Sequence, residues 1–440
     1  IGECNVSKIA IPREHNSKPV IKIKDSAFVN NKILKSVIIE DNISVIGTQA
    51  FWRCTGITKV SFNSKSLGRL VFQDCVNLEK AIIGKNVESS ADSMFFACSK
   101  LQDLTILSDS LNVNGSVLGK LPNLKEIKVN EDNSKYMVED GILFSKDGRK
   151  IYLYPVGKTG DTYVFDSNIK EIGDYAFSSC SSFKTINIPD TVEVVGSFAF
   201  QDCSNLKYAT VNAKKLNRLT FFCSSNLESV TIGSNVSSWG DNIFQGCNKL
   251  SDLTILSSTL DVNNDHLHTS SFLKEIKVNE DNSKYMVKDG ILFSKDGSKI
   301  YAYPTGKQED TYVFDSNVKE IGDSAFQGCS SFKTINIPDT VEAVGSFAFR
   351  GCSNLKEVTV NAKKLRRLTF YSSSNLDSVT IGSNVSSWSD QVFLSCNKIP
   401  SITYLGTKDE WSNTLGKTSL WKGGNTSIKK IICSDGEINM

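Results

Sequence analysis

A stretch of 43 residues recurs 149 residues further along this chain with only six changes. Residues 124–166 begin LKEIKVNEDNSKYMV and end TYVFD, and residues 273–315 repeat them. Within and around the two copies, a smaller unit of about 23 residues returns many times. A unit of that size cannot bury its own apolar face, so it must stack on copies of itself. The periodicity therefore predicts one elongated repeat protein.

The small unit has two parts, a cluster IGxxAFxxC and a segment LxxΦxΦ in which Φ is aliphatic. IGDYAFSSC (172–180) and VGSFAFRGC (344–352) are clear clusters, and LKYATV (206–211) is a clear segment. Apolar residues that alternate with polar ones indicate a strand with one buried face. The cluster follows a glycine that permits a tight bend, and it is long enough for one helical turn. Each coil is therefore predicted to place one strand in a parallel sheet and its cluster on the convex side.

Counting the segments predicts about sixteen coils. Most strands are 21 to 23 residues apart, but two intervals span 59 residues. Each of these contains an inserted segment, KYMVEDGILFSKDGRKIYLYP (135–155) or its copy (284–304). Asp-Gly pairs between short apolar runs are a strong hairpin signal, which predicts antiparallel β-meanders near 131–166 and 280–315. The predicted strands lie near residues 8, 36, 59, 80, 103, 126, 185, 208, 229, 252, 275, 334, 357, 378, 401 and 428.

The twelve cysteines follow the repeat. Nine lie three residues after the Phe of the cluster, and Ser224 and Ser373 occupy the same slot in two coils. A slot used once per coil is a packing position, so we predict buried thiols. Disulfides between the slots of consecutive coils are the alternative. Cys4 fits the slot of a truncated first coil, while the pattern assigns no role to Cys223 or Cys433. The nine are Cys54, Cys75, Cys98, Cys180, Cys203, Cys247, Cys329, Cys352 and Cys396.

The composition gives little support to a catalytic, metal-binding, nucleic-acid-binding or membrane-inserting function. Fifty basic residues balance 48 acidic ones, which predicts no nucleic-acid partner, and no apolar run is long enough to insert into a membrane. Of the three histidines, His266 and His268 form an HxH pair without a third ligand at useful spacing. No histidine accompanies a nucleophile in a catalytic pattern. We predict a protein that is not an enzyme and that has no metal or cofactor.

The clusters, the insert DGILFSKDGRKIYLYP and the ending ITYLGTKDEWSN (402–413) resemble the BspA-type leucine-rich-repeat proteins. The resemblance implies an α/β solenoid, a right-handed leucine-rich-repeat superhelix with a parallel concave β-sheet and two inserted β-meanders. It also implies an extracellular or cell-surface location, adhesion to host matrix proteins or other cells, and a monomer. The solenoid is expected to be continuous over 1–400, with residues 401–440, including Trp411 and Trp421, as a C-terminal cap. The first residues lack a signal-peptide pattern, so we expect the export signal and the anchor outside this segment.

Three functions follow from this reading. The first is a non-catalytic module that binds a protein or glycan ligand, and the second is a spacer that displays another domain of a longer surface protein. The third is a hydrolase, suggested only by neighbouring acidic pairs such as Asp103 with Glu126 and Asp252 with Glu275.

We predict ligand contacts on two surfaces. Solvent-facing positions of the concave strands form one, and aromatic and basic residues of the meanders form the other. The concave-face candidates are Asn187, Tyr208, Thr210, Thr231, Thr254, Lys277, Asn336 and Thr359, and the meander candidates are Tyr136, Arg149, Tyr152 and Tyr154.

Overall fold

The coils have three segments. The computed structural model describes residues 7–118, 121–262, 272–417, 420–423 and 425–440, in two units, residues 1–225 (unit 1) and 226–440 (unit 2). A typical coil has a long strand of four residues, such as Tyr208–Val211, and a short strand of two residues, such as Lys215–Leu216. A run of turns that contains the AF motif, the turn cluster, completes the coil.

Long strands of neighbouring coils pair in parallel and in register. In unit 1, Asp103 pairs with Lys80 on one side and with Glu126 on the other. The constant register follows from the constant repeat, because equivalent residues of each coil then face the same way. The long strands of unit 1 are Lys8–Ala10, Ser36–Ile39, Lys59–Phe62, Lys80–Ile83, Asp103–Ile106, Glu126–Val129, Thr185–Ile188 and Tyr208–Val211.

Unit 2 repeats this arrangement. With its eight long strands, all sixteen strands expected from the sequence are present, which confirms the prediction of stacked parallel strands. A final strand, Gly436–Asn439, turns back antiparallel to its neighbour. The long strands of unit 2 are Ser229–Ile232, Asp252–Ile255, Glu275–Val278, Thr334–Ile337, Glu357–Val360, Ser378–Ile381, Ser401–Tyr404 and Lys430–Cys433.

Short strands form a second set of parallel ladders that the sequence did not predict. In unit 1 they are Lys22–Ile23, Val45–Ile46, Ser66–Leu67, Ser89–Ser90, Glu171–Ile172, Val194–Val195 and Lys215–Leu216. In unit 2 they are Ser238–Trp239, Glu320–Ile321, Ala343–Val344, Lys364–Leu365 and Ser387–Trp388. A separate small hairpin joins Glu14–His15 to Lys18–Pro19.

Each insert is three strands that extend a short-strand ladder. In unit 1, Tyr136–Glu139, Ile142–Ser145 and Lys150–Leu153 pair antiparallel, and the third strand then pairs in parallel with Glu171–Ile172. Unit 2 has the same order in Tyr285–Lys288, Ile291–Ser294 and Lys299–Ala302. There the third strand pairs in parallel with Glu320–Ile321. The inserts therefore lie along the coils, each at the start of a short-strand ladder.

The turn clusters are not helical, which differs from the single helical turn expected. In the cluster of residues 196–203, Phe198 has φ +57° and Asp202 has φ +54°. Left-handed residues at both positions break the right-handed path that a helix requires. The α/β character is accordingly not confirmed, because the α-helices of the described residues are only Gly115–Leu118 and Lys408–Asn413, with short 3-10 turns at Leu415–Lys417 and Leu420–Lys422.

Where neighbouring coils both carry the Phe of the AF motif, their rings stack, as at Phe177, Phe200 and Phe221. Phe200 is fully buried, with ring centroids 5.1 Å from Phe177 and 5.5 Å from Phe221. After each insert, a tyrosine of the insert supplies the ring before the next Phe, since Tyr154 lies 5.1 Å from Phe177 and Tyr303 lies 5.1 Å from Phe326. These aromatic ladders fill the core beneath the turn clusters.

The cysteine slot is both a packing position and a hydrogen-bonding position. The Cys203 thiol donates to the carbonyl oxygen of Phe177, one coil earlier, at 3.2 Å. Ser224 makes the same bond to Phe200 at 2.7 Å, which explains why serine replaces cysteine there. The eleven described cysteines are all free thiols. The nine in the slot are buried, as predicted. Cys4 lies outside the described residues. Cys433 is also buried, whereas Cys223 is half-buried beside the slot.

The C-terminal segment packs several large rings on the last turn cluster. Trp421 is buried, and its ring lies 6.2 Å from Phe393, 4.7 Å from Trp388 and 5.9 Å from Trp411. The helix that carries Trp411 begins at a capping box, in which Thr407 accepts from the Glu410 amide and the Glu410 side chain accepts from the Thr407 amide.

Candidate functional site

The long-strand face of unit 1 exposes three of the predicted contact residues. Asn187 and Thr210 pair in register on neighbouring strands, and Tyr208 pairs with Thr185 beside them. The residues that alternate with them, such as Ala209 and Val211, are buried. Tyr208 is 49% exposed, so about half of this amphipathic side chain lies at the surface of the face.

In unit 2 the predicted contact residues fall on two separate sheets. Thr231, Thr254 and Lys277 are successive partners on one sheet. Asn336 and Thr359 pair on another sheet, which begins after the insert. The structure thus groups the unit 2 candidates into two clusters and does not form one unbroken row.

The insert interrupts the long-strand face because a segment without regular pairing takes the place of one long strand. In unit 1, the carbonyl oxygen of Asp161 accepts from the amides of Lys184 and Thr185 at 2.7 and 3.1 Å. Val164, three residues later, is 84% exposed, as is its counterpart Val313. Single exposed apolar residues are common at protein surfaces, so we attach no function to them.

The charges on this face are largely paired within it. Lys277 lies 2.9 Å from Glu275 and 3.9 Å from Asp252. The hydrogen bond and the charge of Glu275 raise the pKa of Lys277. The copy in unit 1 has the same pair, with Lys128 3.0 Å from Glu126. Exposed pairs of this kind contribute little to stability. The acidic neighbours Asp103 and Glu126 lie beside this lysine on an open surface and form no enclosed catalytic pocket.

The four residues predicted in the insert differ in exposure, and the complete burial of Tyr136 corrects the prediction that it contacts a ligand. Tyr136 is fully buried, and Tyr154 is 4% exposed as the first ring of the aromatic ladder. Tyr136 therefore has no exposed surface for a partner, whereas the small exposed part of Tyr154 lines a cavity on the turn clusters. Arg149 is exposed, and Tyr152 is half-buried with the Lys150 ammonium 4.9 Å from its ring. Arg149, Tyr152 and Tyr154 stay as candidates.

We expect Tyr136→Phe to lower the free energy of unfolding by about 1–3 kcal/mol, because it leaves two buried backbone groups unpaired. The Tyr136 hydroxyl donates to Leu111 O at 2.6 Å and accepts from Val113 N at 2.9 Å. Urea denaturation followed by circular dichroism measures the loss. The half-buried Tyr152→Phe is the control, with an expected change within about 0.5 kcal/mol. Equal effects for the two variants would contradict the assigned role of the hydroxyl.

The described part of the chain contains no constellation for metal chemistry. Within those ranges, no three His, Cys, Asp or Glu side chains are grouped so as to hold a metal ion. His266 and His268 lie outside the described residues, and His15 is exposed in the small hairpin. Neither α-helix of the described residues is long and apolar enough to cross a membrane.

Unit 1 has a cavity on its turn clusters that was not predicted from the sequence. It measures about 220 Å³, and Phe96, Leu153, Val156 and Tyr175 are among the residues that line it. The alternation of apolar and polar residues predicts the strands but gives no information about the surface of the turn clusters. The available signal was the set of differences between the two long copies, which includes Leu153/Ala302 and Val156/Thr305.

Comparison with known proteins agrees with the repeat described above. The model of the BspA type leucine rich repeat region matches in six copies, over residues 3–139, 160–285 and 300–415. No curated protein matches the chain.

Several solved structures are similar at low identity. A leucine rich cell surface protein from Faecalibacterium prausnitzii is 20% identical, with 93% of this chain and 90% of that chain covered and a TM-score of 0.37. The pneumococcal vaccine antigen PcpA is 19% identical, with 91% and 73% covered and a TM-score of 0.40. A leucine-rich-repeat protein from Eubacterium ventriosum is 20% identical, with 76% and 89% covered and a TM-score of 0.43. Likeness at this level carries no argument about the ligand.

Proposed function

The chain belongs to the BspA-type leucine-rich-repeat family, and from that premise we propose that it is a non-catalytic binding module of a secreted or cell-surface protein. Its ligand is a protein or a glycan, on a host matrix or another cell. The module acts as a monomer, without nucleic-acid partners and without membrane insertion in this segment. The similarity to a leucine rich cell surface protein is compatible with this location.

The observation that carries the proposal is the register of the exposed long-strand residues. Asn187 and Thr210 stand side by side at the same height on paired strands, with Tyr208 next to them. Hydroxyl, amide and phenol groups on a backbone fixed by two sets of ladders lose little freedom when a ligand binds, which favours recognition.

The architecture proposed with this function is a right-handed superhelix whose long-strand face is concave. Residues 1–400 form a continuous solenoid with the two meander inserts, and residues 401–440 act as its cap. The burial of Trp421 and Trp411 against the last coils supports the capping role, since an open solenoid end leaves apolar surface in water.

An array of host matrix proteins and glycans tests the function. We expect at least one ligand to bind, and the combined substitution of Asn187, Tyr208 and Thr210 by alanine to weaken it at least tenfold. Lys215→Ala, an exposed change on the neighbouring short strand, is the matched control and should leave binding unchanged. Absence of binding to every ligand at about 10 μM protein would speak against a binding module.

A spacer is the second candidate, and the near-identity of the two long copies favours it. Only six of 43 aligned positions differ, as expected of a duplication that lengthens a stalk. A spacer requires an anchor or an effector domain elsewhere in the gene, so the complete reading frame discriminates between the two functions. In a spacer, the same alanine substitutions on the long-strand face leave the activity of the full-length protein unchanged.

A further inference from the structure

The cavity of unit 1 lies where the insert meets the turn clusters of the coils before and after it. Leu121, Leu124, Leu153 and Val156 supply aliphatic walls, and the rings of Phe96 and Tyr175 flank them. Phe96 is 38% exposed, although a Phe side chain is usually buried. The polar residues Ser93, Ser116, Ser178 and Gln201 also line the cavity, and they are called its rim here.

The Tyr175 ring is held in place from outside the cavity. It stacks on Phe198 of the next coil, with centroids 4.8 Å apart and planes only 7° from parallel. Gly115 also approaches closely, since a Cβ at that position would lie 2.6 Å from Tyr175 Cβ. The close approach requires glycine at residue 115, and the sequence has Asn264 at the corresponding place 149 residues later.

The two long copies differ at the cavity far more than elsewhere. Residues 124–225 and their counterparts 273–374 differ at 18 of 102 positions, yet five of the seven cavity residues in this range differ. Random placement of 18 changes would alter about one of the seven. The five differing pairs are Leu153/Ala302, Val156/Thr305, Tyr175/Ser324, Ser178/Gln327 and Gln201/Arg350.

Over the same range the long-strand face hardly changes. Asn187 and Thr210 are matched by Asn336 and Thr359, and Tyr208/Glu357 is the differing pair there. Side chains that only fill the core are expected to keep their apolar volume. In the second copy, however, the smaller Ala302 and Ser324 replace Leu153 and Tyr175. A concentration of changes at one concavity is typical of a surface that determines which partner is bound.

We propose that this cavity receives one large apolar side chain, of the leucine or phenylalanine type, from a partner protein. Its volume of about 220 Å³ lies below the roughly 300 Å³ at which pockets for drug-sized ligands begin. Aliphatic walls and ring faces favour an apolar anchor, and the serine and glutamine side chains at the rim suit the main chain on either side of that anchor. The inference rests on the proposed binding function and names the part of the ligand that this unit recognises.

Methyl-TROSY NMR of the full chain with labelled Leu and Val methyl groups tests the cavity directly. The probes are N-acetyl-phenylalaninamide and N-acetyl-leucinamide, with N-acetyl-serinamide and methyl glucoside as polar comparisons. We expect saturable shifts of the Leu121, Leu124 and Val156 methyl signals with the two apolar probes, with dissociation constants on the order of millimolar.

The matched variant replaces the cavity residues by those of the second copy, as Leu153→Ala, Val156→Thr and Tyr175→Ser. These residues stand at the equivalent coils of unit 2, so the fold accommodates them. The variant should weaken apolar probe binding at least tenfold, and Tyr175→Ser alone should weaken it several-fold. Absence of shifts at about 20 mM probe, or equal shifts with the serine or glucoside probe, would overturn the proposal.

The two proposals fail in different ways. If an array ligand binds the cavity variant (Leu153→Ala, Val156→Thr and Tyr175→Ser) as well as the parent protein, the binding function stands and the role of the cavity is refuted. An array without any ligand, together with specific binding of the apolar probes, refutes the proposed ligand classes and leaves the cavity assignment standing.

Discussion

Replacement of Phe200 by alanine is expected to lower the free energy of unfolding by about 3–5 kcal/mol, the range for removal of a buried ring. Phe200 is fully buried between Phe177 and Phe221 in the aromatic ladder. In a stacked array each coil is stabilised mainly by its neighbours, so the loss at one rung weakens both adjacent interfaces. Urea denaturation gives the global effect, and hydrogen exchange of the amides in 177–224 locates it.

Phe198 provides the control for this experiment. It belongs to the same FAF sequence but lies half-buried on the outer surface, where it stacks on Tyr175 at 4.8 Å. Phe198→Ala should cost about 1–2 kcal/mol, less than Phe200→Ala, since its two ring contacts, with Tyr175 and Phe222, lie near the surface. Comparable losses for the two variants would show that the ladder is not the main support of these coils.

Raising the pH from 8 to 10.5 is expected to destabilise the protein strongly through its buried thiols. Burial raises the pKa of Cys98, Cys203, Cys352 and Cys396 to about 12, from an ordinary value of 9.0. A folded-state pKa above the unfolded one means that this stability is complete below pH 9 and is lost as the pH rises toward 12. Above pH 9 each thiol ionises in the unfolded chain but not in the folded one. This lowers the free energy of unfolding by about 1.4 kcal/mol per pH unit, or about 2 kcal/mol at pH 10.5.

The matched variant carries serine at these four slots. Ser224 and Ser373 already make the slot hydrogen bond, to Phe200 and Phe349 at 2.7 and 2.8 Å, so serine suits the slot. Unit 1 and unit 2 each contain two of the four thiols. Between pH 8 and 10.5 we therefore expect the free energy of unfolding of each of these two units to fall by about 4 kcal/mol less in the variant than in the parent. Urea denaturation under reducing conditions measures the difference. Buried tyrosines such as Tyr136, with a pKa raised to about 12, destabilise both proteins alike. Identical pH profiles would exclude the thiols as the cause.

The long strands were predictable because each carries its own signal. Tyr208–Val211 alternates exposed and buried side chains, and four residues in that order are enough to define a strand with one buried face. The short strand Lys215–Leu216 has two residues and no period, so its pairing depends on the stacking of whole coils. Left-handed residues such as Phe198 were missed because tertiary packing overrides their usual preference for right-handed backbone.

The candidate site was less predictable, since exposure depends on which way the inserts lie. The strands that contain Tyr136 and Tyr152 look alike in sequence, yet one ring is fully buried and the other half-buried. That outcome follows from where the third strand of the insert pairs, with Glu171–Ile172 of the next coil. The cavity beside Tyr175 depends on residues from four coils and therefore has no local pattern at all.

The tyrosine that begins the aromatic ladder after each insert has a consequence for how such genes grow. Tyr154 and Tyr303 each supply the opening ring, and each insert supplies the first three strands of its ladder. A copied block of 149 residues thus brings both of its own starting parts. In-frame recombination over that whole length adds or removes a block without leaving a ladder that lacks its beginning, so we expect allelic size variants to differ by multiples of the block.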